Sequence, residues 1–193
     1  MVKVGFIGEG FIEVMFIKSP QFVQFLVDSQ ISFVDEPINA KGQDRLRTNI
    51  DAFRSSLFDE GATHIFILTD LDNAQSFSRK KEFIGNRENQ TIILSVKAFE
   101  AWFLADSEML QKLLNNDQFE FDYPEKETEP FDTIRKLLLG YTNRGIGEEK
   151  KRIFASQCFS KYGFSIQRAA QHPNCPSANY FLNKLQSLNS YLI

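Results

Sequence analysis

One apolar run, residues 64–68, constrains the fold of this chain more than any other feature. It is rich in β-branched and aromatic side chains, and it is followed by Thr69 and by two aspartates, Asp70 and Asp72. This pattern predicts a buried strand that ends where the carboxylates begin. Side chains at positions i and i+2 of an extended chain point to the same side. We therefore expect Asp70 and Asp72 to face one point beyond the carboxyl end of the strand, where open α/β sheets bind ligands.

Further strands and helices alternate along the chain. Three more apolar runs predict strands over residues 2–7, 31–34 and 91–96. Apolar residues at helical spacing predict helices over 11–27, 44–57 and 74–85, and a proline at position 20 is expected to break or kink the first of these. This alternation is typical of an α/β fold with a parallel sheet flanked by helices.

A helical segment follows the last predicted strand. Residues 97–106 and 107–114 predict two short helices, and residues 115–130 form an acidic, proline-containing stretch that is typical of a solvated loop. The remaining helices are predicted over 131–139, 146–160, 164–170 and 177–191. We therefore expect an α/β core over residues 1–105 and a helical extension over residues 106–193, packed together as a single structural unit.

Composition restricts the functions that this chain can perform. Its 193 residues carry a net charge of −3 with no basic tail, so strong non-specific binding of nucleic acid by the bare chain is not favoured. Cys158 and Cys175 are too few for a disulfide scaffold, and neither lies in a metal-binding CxxC pattern. The sequence shows no signal-peptide pattern and no apolar run of membrane-spanning length. We expect a cytoplasmic protein without a membrane partner.

The turn after the first predicted strand allows two interpretations. Gly8 and Gly10 flank Glu9, and this spacing resembles a dinucleotide-binding fingerprint. That fingerprint requires glycine or alanine at its sixth position for close packing of helix and strand, and this chain has Glu13 there. An acid after the second predicted strand, Asp35 or Glu36, keeps nucleotide or dinucleotide binding open as an alternative.

The second interpretation gives the carboxylates a common role. Glu13 lies one helical turn after Glu9, on the same face. If the first and third predicted strands are neighbours, both glutamates face the same crevice as Asp70 and Asp72. Four carboxylates in one crevice repel each other unless a cation is present, and two Mg²⁺ or Mn²⁺ ions would satisfy them. The alternative is that these side chains cap helices or favour a helix N-terminus.

These motifs resemble the Toprim domain, which occurs in topoisomerases, primases, recombination factors and the overcoming-lysogenization-defect nucleases. The resemblance rests on an acid-Gly-x-x-acid turn and an Asp-x-Asp motif, here Glu9-Gly10-Phe11-Ile12-Glu13 and Asp70-Leu71-Asp72. Residues 99–106 and 174–178 are similar to segments of an uncharacterised prokaryotic Toprim-like family, so the resemblance covers nearly the whole chain.

The resemblance implies a role for each acid. It makes Glu9 the general acid or base, and it makes Asp70 and Asp72 ligands of Mg²⁺ or Mn²⁺. The nuclease branch uses the second glutamate of the turn as a further ligand, which corresponds to Glu13 here. Glu100, after the last predicted strand, is expected to reach the same edge of the sheet as another metal ligand, although it could instead lie on the polar face of an amphipathic helix.

The same resemblance implies Mg²⁺-dependent phosphodiester chemistry on nucleic acid, in phage defence or DNA repair. No strand-cleaving tyrosine domain, zinc finger or helicase module is visible in the sequence, so nuclease-type cleavage is the leading expectation. Such relatives often work beside an ATPase encoded nearby. The alternative is therefore a non-catalytic Toprim-like subunit that binds a partner ATPase.

Cations near the predicted site are candidates for contact with nucleic acid. The expected phosphate-facing rim consists of Lys97, Arg79, Lys80 and Lys81. Adjacent basic residues on a helix are also typical of a solvated face, and the same two interpretations apply to Arg144, Lys150, Lys151 and Arg152.

Overall fold

The computed structural model describes residues 2–188 and shows a parallel β-sheet with helices on both faces. The predicted helix over 177–191 therefore extends in part beyond the described residues. The five strands are β1 (Lys3–Gly8), β2 (Ser32–Phe33), β3 (Ile38–Asn39), β4 (His64–Asp70) and β5 (Gln90–Ser95). Their order is β2-β1-β4-β5, and β3 pairs with the carboxyl end of β1 on the side of β2. The predicted α/β class is confirmed.

The helices lie close to their predicted positions. They are α1 (Phe11–Ile17), α2 (Pro20–Asp28), α3 (Gln43–Asp59), α4 (Phe77–Ile84), α5 (Glu100–Ala105), α6 (Ser107–Leu114), α7 (Pro130–Thr142), α8 (Lys151–Ser160), α9 (Ile166–Gln171) and α10 (Pro176–Ser187), with short 3₁₀ turns at Pro124–Lys126 and Glu148–Lys150. The predicted break at Pro20 is confirmed: Ser19 caps α2 by accepting a hydrogen bond from the Phe22 amide, and Pro20 occupies the first turn. None of the helices within residues 2–188 combines the length and apolar character needed to cross a bilayer.

The chain reverses direction across the sheet between β1 and β4. From β1 it crosses to β2 through α1 and α2, and from β3 it returns to β4 through α3. Because parallel crossovers are right-handed, connections that run to opposite sides of β1 place their helices on opposite faces. The carboxyl ends of β1 and β4 therefore flank the crevice in which such sheets bind ligands.

Two apolar clusters cover the faces of the sheet. Leu46, Leu57 and Ile84 from α3 and α4 pack on one face. The other face is larger, and there α1, α2 and the helices from α5 to α10 share one core that is rich in phenylalanine. Phe181 of α10, for example, packs against Phe66 of β4. The helices after residue 106 thus share a core with the strands of the sheet.

Candidate functional site

The pairing of β1 with β4 brings Glu9 to the end of β4, which meets the condition set in the sequence analysis that these two strands are neighbours. The two strands pair in parallel over five residues, and the Glu9 amide continues the ladder by donating to the Leu68 carbonyl at 2.8 Å. The Glu9 carboxylate accepts a hydrogen bond from the Thr69 hydroxyl. Glu9 is therefore held at the carboxyl edge of the sheet, between the two strands that flank the crevice.

Glu13 is buried on the other side of this turn. Its Oε2 accepts a hydrogen bond from the Gly10 amide at 2.9 Å, which forms the side-chain half of a capping box at the start of α1. Gly8 allows this approach, because a Cβ there would lie 2.9 Å from the Cβ of Glu13. The Gly10 amide, which would face a pyrophosphate in a dinucleotide site, is thus already bonded within the chain.

Asp70 ends β4 and lies beside β5. Its Oδ1 accepts a hydrogen bond from the Ser95 hydroxyl at 2.6 Å, because the parallel register places these two residues side by side. Glu100 opens α5 immediately after β5, and only 1% of its surface is exposed. Glu100 therefore does not lie on a solvated helix face.

Four carboxylates form one electrostatic unit, which we call the acidic cluster: Glu9, Glu13, Asp70 and Glu100. Burial, with added repulsion from Glu9 and Glu100, raises the pKa of Glu13 to about 7. Burial and the charges of Glu13, Glu100 and Glu9 raise the pKa of Asp70 well above its usual range. The pKa of Glu9 is also raised, mainly by burial, although the Thr69 hydrogen bond and Lys80 oppose the shift. Negative charge is therefore costly here unless a cation balances it.

Lys151 supplies part of that balance. Its ammonium lies 3.0 Å from Oε1 of Glu100. Burial lowers the pKa of Lys151, but the charges of Glu100, Asp70 and Glu13 raise it by more than burial lowers it, so the net shift is upward. Within residues 2–188, neither carboxylate oxygen of Glu100 accepts a directional hydrogen bond. The buried Glu100 carboxylate thus has lone pairs that no hydrogen-bond donor occupies, and these could coordinate a cation.

Asp72 differs from Asp70 in its backbone and in its partner, so the geometry from which we expected both to face one point is absent. That expectation assumed extended backbone through residue 72, but β4 ends at Asp70 and Asp72 has a left-handed φ of 50°. The Asp72 carboxylate pairs with Lys80 at 2.9 Å. Lys80 also lies 3.9 Å from Glu9, so this lysine links Asp72 to the acidic cluster.

The predicted basic rim is divided between different environments. Lys80 is buried, and it donates to Gln43 as well as to Asp72. Arg79 is exposed beside a cleft of about 560 Å³ that Asp72 also lines. Lys81 lies over the ring of Tyr180, 5.2 Å from its centroid. The Lys97 carbonyl accepts a hydrogen bond from the Asp72 amide, which places Lys97 at the same edge of the sheet.

The donor set of the acidic cluster fits a hard divalent cation chemically. Mg²⁺ and Mn²⁺ prefer carboxylate oxygen, and Glu100 offers two buried oxygens, of which only Oε1 has the ammonium of Lys151 nearby. In the part of the chain that the structure describes, however, no three His, Cys, Asp or Glu side chains are already grouped in a way that could hold a metal ion. The acidic side chains instead form hydrogen bonds or ion pairs with other residues of the chain, which are Gly10, Ser95, Lys151 and Lys80.

Sequence reasoning missed the partners that hold these acids in place. Lys151 and Lys80 act as internal counter-ions, yet in the sequence each belongs to a basic run with the character of a solvated helix face. Ser95 is the last residue of β5 and Thr69 is the last but one of β4, and a hydroxyl near the end of each predicted strand was the one signal that could have identified them.

Comparison with models of known protein families, with curated proteins and with solved structures finds no match to this chain. The fold and the site therefore define it as an α/β protein with a buried acidic cluster at the switch point of a parallel sheet. The Toprim resemblance gains no support from these comparisons.

Proposed function

We propose that this protein is a Toprim-like enzyme that hydrolyses phosphodiester bonds in nucleic acid with the help of Mg²⁺ or Mn²⁺. The observation that carries the proposal is the acidic cluster, in which Glu13 and Glu100 are buried beside the partly buried Asp70 and the pKa values of Glu13 and Asp70 are raised. Natural cores avoid such an arrangement unless it is functional, and perturbed carboxyl groups in a ligand-binding crevice are typical of active sites.

Each carboxylate has a role in this proposal. Glu13, Asp70 and Glu100 would hold the ion, with Asp72 as a further ligand. A bound Mg²⁺ or Mn²⁺ would neutralise charge on the phosphate and lower the pKa of a water molecule. Lys80 and Lys151 balance the carboxylates when no divalent ion is present. The exposed Arg79 and the neighbouring Lys97 and Lys81 would attract the phosphate backbone.

Glu9 moves the proton. Burial raises its pKa, and the Thr69 hydroxyl fixes the position of its carboxylate. A carboxyl group with a raised pKa is a better general acid or base near neutral pH than an ordinary glutamate, because its two protonation states are closer in energy. Glu9 lies at the turn between β1 and α1, so the main chain of that turn orients its carboxylate, which is not itself a metal ligand in this proposal.

A second function is favoured by one specific observation. Among residues 2–188 no group of acids is already arranged to hold a metal, and two lysines neutralise the acids that are present. These features suit a cytoplasmic, non-catalytic Toprim-like subunit that a partner ATPase would have to remodel before it could bind an ion. That protein would be inactive alone and active with its partner.

Titration calorimetry with Mn²⁺ and a plasmid-nicking assay together test the first proposal. We expect wild-type protein to bind Mn²⁺ and to nick DNA or RNA, Glu9→Gln to bind Mn²⁺ without nicking, and Asp70→Asn to lose both. Glu88→Gln and Asp59→Asn, at exposed positions, are matched controls that should leave both unchanged. Absence of Mn²⁺ binding at millimolar concentration would refute the metal site. Mn²⁺ binding and nicking that both appear only after a partner ATPase is added would establish the second function instead.

A further inference from the structure

A cationic cleft of about 440 Å³ lies beside the start of α8, outside the acidic cluster. Arg144, Lys150 and Lys161 stand around it, and no aspartate or glutamate lines it. None of these three cations forms an ion pair with any residue in the 2–188 range. In a chain with a net charge of −3, three unpaired cations around a cleft that no acidic side chain lines form a local site for an anion.

The floor of the same cleft is apolar. Leu138, Phe154 and Tyr162 are buried beneath it, and the Lys161 ammonium lies 5.2 Å from the centroid of the Tyr162 ring. A purely ionic ligand would gain nothing from this floor. A ligand that carries both negative charge and flat apolar groups would use the cations and the floor together.

The first residues of α8 connect the cleft to the acidic cluster in the chain. Lys151 directly follows Lys150 and reaches into the cluster to pair with Glu100. Arg152, one residue further, lies 3.6 Å from the centroid of the Phe11 ring. Phe11 begins α1, only two residues after Glu9, and 44% of its surface is exposed. The start of α8 thus carries one cation that lines the cleft and two cations that contact residues of, or next to, the proposed reacting centre.

We propose that single-stranded nucleic acid enters the site along this α8 cleft. The proposal rests on the function proposed above and names the form of its substrate. Phosphates would lie against Arg144, Lys150 and Lys161, and an unpaired base would rest on the apolar floor. A duplex conceals the faces of its bases, so it would use the cations but not the floor.

Fluorescence anisotropy with a labelled 12-nucleotide strand, in EDTA to prevent cleavage, tests this path. The test variant is Arg144→Gln/Lys150→Gln/Lys161→Gln, which keeps much of each aliphatic stem. The matched control is Arg45→Gln/Lys112→Gln/Lys184→Gln, which removes the same charge at exposed positions elsewhere. We expect the test variant to lose about tenfold or more in affinity and its salt dependence, log K against log salt, to flatten by about two, since each single-strand phosphate contact contributes about 0.7. The control should bind nearly as wild type does.

Several results would overturn the proposal. Equal affinity of the test and control variants would show that the cleft takes no part. Equal affinity for the strand and its duplex, or equal displacement of the strand by a polyglutamate peptide of the same charge, would show that the floor does not recognise bases. No binding by wild-type protein would exclude this substrate class. Mn²⁺ calorimetry reports on the acidic cluster separately, so failure of the cleft and failure of the metal site are distinguishable.

Discussion

The ammonium of Lys80 lies 2.9 Å from Oδ2 of Asp72, and only one of the two partners is buried. The Lys80 side chain is 4% exposed, whereas the Asp72 side chain is 46% exposed. Water can solvate the carboxylate but has little access to the ammonium. Loss of the pair would therefore leave the Lys80 charge poorly solvated, whereas water would still solvate the Asp72 carboxylate.

Asp72→Asn should destabilise the protein by about 1–3 kcal/mol, because it leaves the buried Lys80 charge with Glu9 at 3.9 Å as its remaining acidic contact. Asparagine tolerates the left-handed φ of 50° at this position, so backbone strain does not contribute to the loss. Urea denaturation at pH 7 measures the change. Asp59→Asn, at the exposed end of α3, should change stability by less than about 0.5 kcal/mol. An equal loss in both variants would show that Lys80 does not need Asp72.

The acidic cluster should make the metal-free protein less stable as pH rises. The pKa of Glu13 is raised to about 7 in the folded state from an ordinary value of 4.5, so between these values the folded state binds more protons than the unfolded state. By linkage, the stability that the protonated group contributes is complete below pH 4.5 and is lost as pH rises through 7. The raised pKa of Asp70 acts in the same direction.

Glu13→Gln isolates this effect. Glutamine keeps an oxygen for the Gly10 amide but cannot ionise, so the variant should exceed wild type in stability at pH 8 by up to about 3 kcal/mol and should match it near pH 5. Thermal unfolding in EDTA from pH 5 to pH 8 measures the difference. Glu88→Gln, an exposed substitution, should follow the wild-type curve throughout. A Glu13→Gln variant that is less stable than wild type at pH 8 would refute the assignment.

Local patterns in the sequence were enough to predict the main elements of the fold. The alternation of apolar strands with amphipathic helices predicts four of the strands and the α/β class, and Pro20 marks the break between α1 and α2. Strand β3 was missed because it has two residues, Ile38 and Asn39, and follows Pro37. A run this short has no periodicity, and its pairing with β1 is decided by the tertiary position of the chain.

The site was less predictable, because its arrangement depends on contacts between distant residues. The adjacency of β1 and β4 was a condition of the prediction, and it is confirmed. The different backbone conformations of Asp70 and Asp72 follow from the point at which β4 ends, and the end of a strand is the least reliable part of a prediction from sequence. The pairing of Lys151 with Glu100 joins α8 to α5, and nothing in either segment indicates the other.

Gly8→Ala should disturb the acidic cluster by moving α1. The new Cβ would lie 2.9 Å from the Glu13 Cβ and 3.1 Å from the Val14 amide nitrogen, so the helix must shift, at a cost of about 1–3 kcal/mol. We expect weaker Mn²⁺ binding by calorimetry and a lower midpoint in urea.

Gly140→Ala is the matched control, because nothing lies within 4 Å of its added Cβ and it sits within α7. That change should stabilise the protein by about 0.5–1 kcal/mol. Equal behaviour of the two variants would contradict the close approach of α1 to β1.

Ser177→Ala should weaken the attachment of α10 to the core. The indole Nε1 of Trp102 donates to the Ser177 hydroxyl at 2.7 Å, and Trp102 stacks on Phe181 with an interplanar angle of 11°. Removing the hydroxyl leaves a buried N–H without its acceptor, which costs about 1–3 kcal/mol. The chain has one tryptophan, so urea denaturation followed by its fluorescence reports on this contact directly. Ser187→Ala, whose hydroxyl donates to the Lys184 carbonyl near the end of the same helix, should leave the midpoint nearly unchanged. If Ser177→Ala and Ser187→Ala unfold at the same urea concentration as wild type, the Trp102 contact does not hold α10 in place.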